Sequence, residues 1–382
     1  MFIVILAALS PFFMKQITLG FLLFISTLFS LNAQDDPDFK EGLFFYTKGN
    51  FNQAIIRFNA AINSNPLYAT AYFYRGFSFI KTQNFEAAER DLNAALKYKF
   101  PGGDVYNALG QLYIDKSDYQ KAIKHLTKAI SLNPALTEAY NNRGLSYHKQ
   151  GHFRQAIADF NKAISIDSTF AMAYCNRGSA RYFNQHIAKP HKNDILMAIE
   201  DFDKAIALNP DLVLAVRNKG IAYRLLDQYD AALIQINEAI DREPNNFNGY
   251  FELGQTYFDM EKYEMAIDNY LKAIQINPFM PLTYIEMAKA KAKLGYYDDA
   301  INNHLKALEI DPATKTLVYY NLAACYALKE DKDQMFDYLI RCKNIGYFTD
   351  HSRVEYFIKD TDFDNFRQDD NFKKFVKKVK KQ

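Results

Sequence analysis

Three asparagines, Asn142, Asn176 and Asn218, each stand two residues before a glycine (Gly144, Gly178, Gly220) in three successive stretches of the chain, with Asn321 at the equivalent place further on. A side-chain amide carries both a donor and an acceptor, so a spaced row of them can bond the backbone of an extended peptide whatever its sequence. Three such bonds contribute only about 2–4 kcal/mol net. A micromolar site needs about 8 kcal/mol, so apolar contacts must supply the rest. Tyr182, Phe183, Ile221, Leu225, Phe251 and Phe258 are the candidates at neighbouring positions. Arginine precedes the glycine at Arg75, Arg143 and Arg177, and sixteen register positions later the same three stretches, and no others, carry Asp91, Asp159 and Asp201. Arginine and aspartate occurring together predict an ion pair inside each structural unit, which makes these arginines structural and not a peptide clamp.

Residue types that do covalent or metal chemistry show no matching pattern. There is no Gly-x-x-x-x-Gly-Lys, His-Glu-x-x-His or Gly-x-Ser-x-Gly motif. The three cysteines, Cys175, Cys325 and Cys342, have no zinc-ligand spacing and read as small buried hydrophobes. His186 and His191, in an insertion around residues 183 to 194, lack a carboxylate or thiol partner and make a poor metal site. That loop is a candidate partner contact. No catalytic residue, metal or cofactor is expected, and the reading is of a protein that is not an enzyme.

The side chains above must be held by something long. The chain has 382 residues, beyond the roughly 250–300 at which one compact core stops growing, so it is either several domains or an elongated array. Its 46 Lys+Arg against 44 Asp+Glu leave a net charge of +2, without the cationic excess of a dedicated nucleic-acid binder. Self-comparison gives a period of 34 residues. Tyr140, Gly144, Tyr147, Phe153, Ala156, Phe160 and Ala163 recur as Tyr106, Gly110, Tyr113, Tyr119, Ala122, Leu126 and Ala129, and again as Tyr250, Gly254, Tyr257, Tyr263, Ala266, Tyr270 and Ala273. Small residues at these spacings let two helices approach, aromatics and leucines three and four apart form their apolar faces, and the prolines at 66, 134, 210, 244, 278 and 312 punctuate the units.

The series resembles the tetratricopeptide repeat (TPR) family. The resemblance implies an all-α fold, an α-solenoid in the form of a right-handed superhelix of about nine helical hairpins, with the first helix of each lining a concave, peptide-binding wall. The expected units are 35–68, 69–102, 103–136, 137–170, 171–212, 213–246, 247–280, 281–314 and 316–349, the fifth carrying the eight-residue insertion. The chain departs from the family in lacking tryptophan and in having Asp38, Met335 and Cys342 where its terminal units should carry an aromatic or a small residue. Residues 350–382 break the period. Phe372, Phe375, Val376 and Val379 predict a closing amphipathic helix over the last hairpin, with six lysines (373, 374, 377, 378, 380, 381) on its polar side.

Residues 1–33 are almost wholly apolar and read as a secretory signal, with Met14 a better start than Met1 and cleavage expected after Ala33. The uncharged run from Ile17 to Leu31 covers about 22 Å as helix, short of a bilayer's ~30 Å core. The sequence therefore reads as an extracytoplasmic scaffold, periplasmic or secreted, that binds a protein or peptide segment in its groove. Membrane contact is expected only through an uncleaved residues 1–33 or the lysine-rich tail. Two alternatives stay open: a structural subunit working through its convex face or ends, and a regulatory subunit of an envelope enzyme.

Overall fold

The computed structural model describes residues 36–183 and 191–380. The apolar residues 1–33 and His186 lie outside them. The chain divides into two compact units, residues 1–215 and 216–382.

The described part of the first unit is five helical hairpins: α1 (Pro37–Thr47) with α2 (Phe51–Ser64), α3 (Ala69–Lys81) with α4 (Phe85–Lys97), α5 (Gly102–Asp115) with α6 (Tyr119–Leu132), α7 (Thr137–Lys149) with α8 (Phe153–Ile166), and α9 (Ala171–Phe183) with α10 (Lys192–Leu208). The boundary at Ala215 falls within α11 (Val213–Leu225), which pairs with α12 (Tyr229–Arg242). The second unit continues with α13 (Phe247–Asp259) and α14 (Tyr263–Ile276), α15 (Pro281–Lys293) and α16 (Tyr297–Ile310), and α17 (Lys315–Leu328) and α18 (Lys332–Asn344). It closes with α19 (His351–Lys359), a 3₁₀ turn Thr361–Phe366, and α20 (Asp370–Val379). No strand occurs among the described residues. The fold is an all-α stack of paired helices, an α-solenoid.

Local chemistry makes each turn. The first helix of a hairpin ends in a left-handed residue, at φ 73° for Gly49 and 77° for Gly151 but also at φ 60° for Gln83 and Glu261, where a Cβ is strained. Asn50, Asn84, Asp118 and Asp331 then cap the second helix by accepting from a backbone N–H three residues on. Between most hairpins, an Asn or Asp before or near the proline turns extended and its side chain accepts from the backbone two residues ahead, as Asn65 does from Leu67 at 3.1 Å and Asn277 from Phe279 at 3.1 Å.

Within each hairpin the glycine of the first helix meets a large side chain sixteen positions later in register. A Cβ on Gly144 would lie 2.7 Å from the Phe160 ring, and one on Gly254 2.5 Å from Tyr270. The rings that fill these gaps, with Phe58 and Phe202, are fully buried and form the spine of the core. At Ala288 and Ala323 the opposing residues are His304 and Leu339, both buried.

The closing segment is richer than one amphipathic helix. Phe357 of α19 lies at the centre of a ring cluster, 5.2 Å from Phe348 and Phe363 and 5.4 Å from Phe372. Tyr320 of α17 joins it and donates from its hydroxyl to Asp360 Oδ2 at 2.5 Å. Phe372, Phe375 and Val379 of α20 are buried in the same cluster. The apolar end of the last hairpin is thereby covered.

Candidate functional site

The arginines reach their aspartates. Arg75 donates from Nε and Nη2 to Asp91 at 2.6 and 2.7 Å, Arg143 does the same to Asp159 at 2.8 Å twice, and Arg177 to Asp201 at 3.0 and 2.6 Å. Each carboxylate is nearly buried, between 4% and 10% exposed. The remaining Nη1 points backwards to the second helix of the preceding hairpin, donating to Asn59, to Thr127 at 3.2 Å and to Asn161 at 2.6 Å. Each guanidinium also lies over a tyrosine three residues earlier, Tyr72, Tyr140 or Tyr174, at 5.3–5.6 Å. The hydrogen bonds to Asp159 hold the Arg143 pKa above its usual value. With all donor edges occupied inside the protein, these side chains join two helices of one hairpin to the hairpin before it.

The asparagines make a pattern that register alone did not suggest. Asn142 donates from Nδ2 to Asn107 Oδ1 at 3.1 Å, and Asn176 donates to Asn141 Oδ1 at 2.9 Å. Each amide thus bridges to the residue one position earlier in the preceding hairpin's first helix. Asn142 and Asn176 stay half-buried, with a second N–H and a carbonyl oxygen left over among the described residues. Asn218 is 7% exposed and lies in the second unit. There the position continues as Glu252, Glu286 and Asn321, so two carboxylates interrupt the amide series.

The apolar candidates separate into two kinds. Tyr182 is 5% exposed and packs on Phe202 with ring centroids 6.1 Å apart, so it is a core residue with little face to offer a partner. Its neighbour Phe183 is 51% exposed, stacked on Phe153 and edge-on to His148 at 5.6 Å. Burial pushes the His148 pKa down to about 4. Ile221, Leu225, Phe251 and Phe258 are half-buried; Phe251 lies 6.0 Å from the Tyr270 ring and Phe258 5.4 Å from Tyr263. These four contribute to packing and keep part of their surface open.

A polar group in the second unit escaped the sequence reading. Arg224 of α11 donates to Asp259 at 2.7 Å and to Glu252 at 3.4 Å, both on α13. Burial raises the Glu252 pKa against the opposing pull of Arg224. Glu286 pairs with Lys289 at 2.8 Å. The partners of Arg224 lie 28 and 35 residues away, in the next hairpin, and only a comparison of neighbouring units would have paired them.

Cys325 and Cys342 are buried, and burial pushes both thiols up to about 12, so neither is a thiolate at neutral pH. Among the described residues no three His, Cys, Asp or Glu side chains gather as a metal site, and no helix is long and apolar enough to cross a membrane.

Family models bear on what this surface belongs to. One described as TPR repeat matches residues 110–151, and others described as tetratricopeptide repeat match 39–105, 137–170, 247–280 and 282–314. Together they cover about half of the chain. No curated protein matches it. Among solved structures, the APC/C hetero-tetramer Cut9–Hcn1 superposes with a TM-score of 0.57 at 16% identity, over 76% of this chain and 55% of that one. This chain thus spans little more than half of that protein's length. A tetratricopeptide repeat protein from Parabacteroides merdae superposes with a TM-score of 0.53 at 20% identity, over 64% of this chain and 93% of that one. At these identities the likeness is one of fold.

Proposed function

From the premise that the chain belongs to the tetratricopeptide repeat family, we propose that it is a non-enzymatic scaffold. It binds an extended segment of a partner protein along the face lined by its first helices, and it works in an extracytoplasmic or envelope assembly. Proteins of this family are generally protein-interaction scaffolds. The observation that carries the reading is the pair of amide bridges Asn107–Asn142 and Asn141–Asn176. They hold three consecutive first helices' amides in fixed orientation, each with unused hydrogen-bonding capacity. An ordered amide row loses little entropy when a peptide backbone bonds to it.

The test places a photo-crosslinking residue at Asn142 or Asn176 in cells producing the protein, and at Lys128 on α6 for comparison. A discrete adduct at the asparagine positions, absent at Lys128 and weakened by Asn107→Ala, supports the reading. An adduct found at Lys128 alone overturns it.

A second reading has an observation of its own. Leu271, Leu305 and Ile340, equivalent positions on α14, α16 and α18, are 40–48% exposed, where an apolar side chain in solvent is unrewarded. In that reading the protein is a structural subunit that docks through its second helices. A Leu271→Ser, Leu305→Ser variant that loses assembly while crosslinking at Asn142 persists would favour it.

A further inference from the structure

The last helix carries a feature that neither packing nor peptide binding uses. In α20 the buried residues Phe372, Phe375 and Val379 occupy one side, while Lys373, Lys374, Lys377, Lys378 and Lys380 are all exposed. At about 100° per residue the five lysines fall within an arc of about 160°, opposite the buried residues. Lys343 of α18 meets Lys378, and burial together with that neighbouring ammonium lowers its pKa. The patch therefore spans two helices.

Its charge is uncompensated. Some lysines elsewhere in the protein are paired, Lys121 with Asp118, Lys289 with Glu286, Lys306 with Glu309, Lys329 with Asp298 and Lys332 with Asp369. None of the six in the patch has a carboxylate within ion-pair distance among the described residues. The one acid on this side of α20 is Asp370, in its first turn. From residue 371 to the end there is no acid, and without the six tail lysines the chain would carry a net charge of −4 instead of +2. Favourable interaction with the helix dipole accounts for lysines in the last turn, Lys377 and Lys378. Lys373 and Lys374, in the first half, gain nothing from it.

The geometry points to this patch as a docking surface for an anionic lipid bilayer. All the cations are lysines, which act as point charges, and there is no arginine fork for bidentate phosphate contacts. Phe372 and Phe375 are buried, so α20 offers no aromatic face on which nucleobases could stack. A helix face with no groove and non-directional charge suits a diffuse layer of headgroups. Because the apolar side of α20 is held in the protein core, attachment is by charge and not by insertion.

The test is sedimentation of the full chain with vesicles of phosphatidylcholine alone and of phosphatidylcholine mixed with phosphatidylglycerol. The apolar residues 1–33 would show their contribution on both. The expected result is at least tenfold tighter binding to the anionic vesicles. That excess should disappear at high salt, as the Debye length shrinks from about 10 Å at 0.1 M to about 3 Å at 1 M. Replacing Lys373, Lys374, Lys377, Lys378 and Lys380 by Gln should remove the excess, and replacing them by Arg should keep it. A control with Lys97, Lys116, Lys121, Lys124 and Lys128 changed to Gln alters net charge equally and should bind like the wild type. Equal binding to both vesicle types, or equal loss in the control, overturns the proposal. So does a wild-type chain that ignores anionic vesicles but retains duplex DNA through the same lysines.

Discussion

Arg143 and Asp159 face each other across the two helices of one hairpin with both guanidinium edges engaged, Nε to Oδ2 and Nη2 to Oδ1 at 2.8 Å, while Nη1 turns back to Thr127 of the hairpin before. The aspartate is 10% exposed, so removing its partner strands a nearly buried charge. Arg143→Met alone should cost about 3–5 kcal/mol, with Asp159→Leu added restoring part of it. Urea unfolding of the two variants checks this. A double variant no more stable than the single one would mean that the pair contributes through packing alone.

Gly254→Ala places a methyl 2.5 Å from the Tyr270 ring and should cost about 1–3 kcal/mol by overpacking. Two hairpins already carry alanine there, and the residues opposite are His304 and Leu339. Tyr270→Leu should accordingly recover part of the loss in the Gly254→Ala background. Melting midpoints of the single and double variants read it directly.

Stability should fall as the solution is acidified through the histidine range. Burial pushes His304 down to about 3 and His148 to about 4, so both are neutral in the folded chain when the unfolded chain begins to protonate near 6.5. Below that pH the unfolded state binds more protons, and its population is favoured. The loss runs from about pH 6.5 down to the folded pKa values. His304 is 1% exposed and its Nδ1 has no partner among the described residues, so His304→Leu, copying Leu339, should flatten the profile of melting midpoint between pH 7.5 and about 4.5. A variant with the wild-type slope would remove His304 from the account.

Export makes a separate prediction. N-terminal sequencing of the native mature chain should begin at Gln34, in an extracytoplasmic fraction. A retained Met1 or Met14 in membranes would make the apolar segment an anchor.

The hairpin architecture could be read from the sequence because one physical constraint repeats: a glycine or alanine opposite a large side chain, with proline at the unit ends. The Arg–Asp spacing was visible for the same reason, since both partners lie in one unit. Bonds between units were not visible. Asn176 finds Asn141, and Arg224 finds Asp259, each 35 residues away, so one period plus one residue separates the partners and alignment at the period itself misses both. Tyr182 was misplaced because position on the first helix does not reveal that its ring tilts under Phe202. The closing segment lost α19 because Val354 and Phe357 fall in a nine-residue helix, too short to show a period.

The ring cluster around Phe357 also governs how such a chain can change length over generations. Duplicating one 34-residue block between two hairpins adds a unit that carries its own internal glycine-to-ring contact and presents the same kind of helix faces to its neighbours. A block added after α18 would have to displace Phe348, Phe357 and Phe372 and separate Tyr320 from Asp360. Growth by copying is thus open within the stack and closed at its carboxyl end.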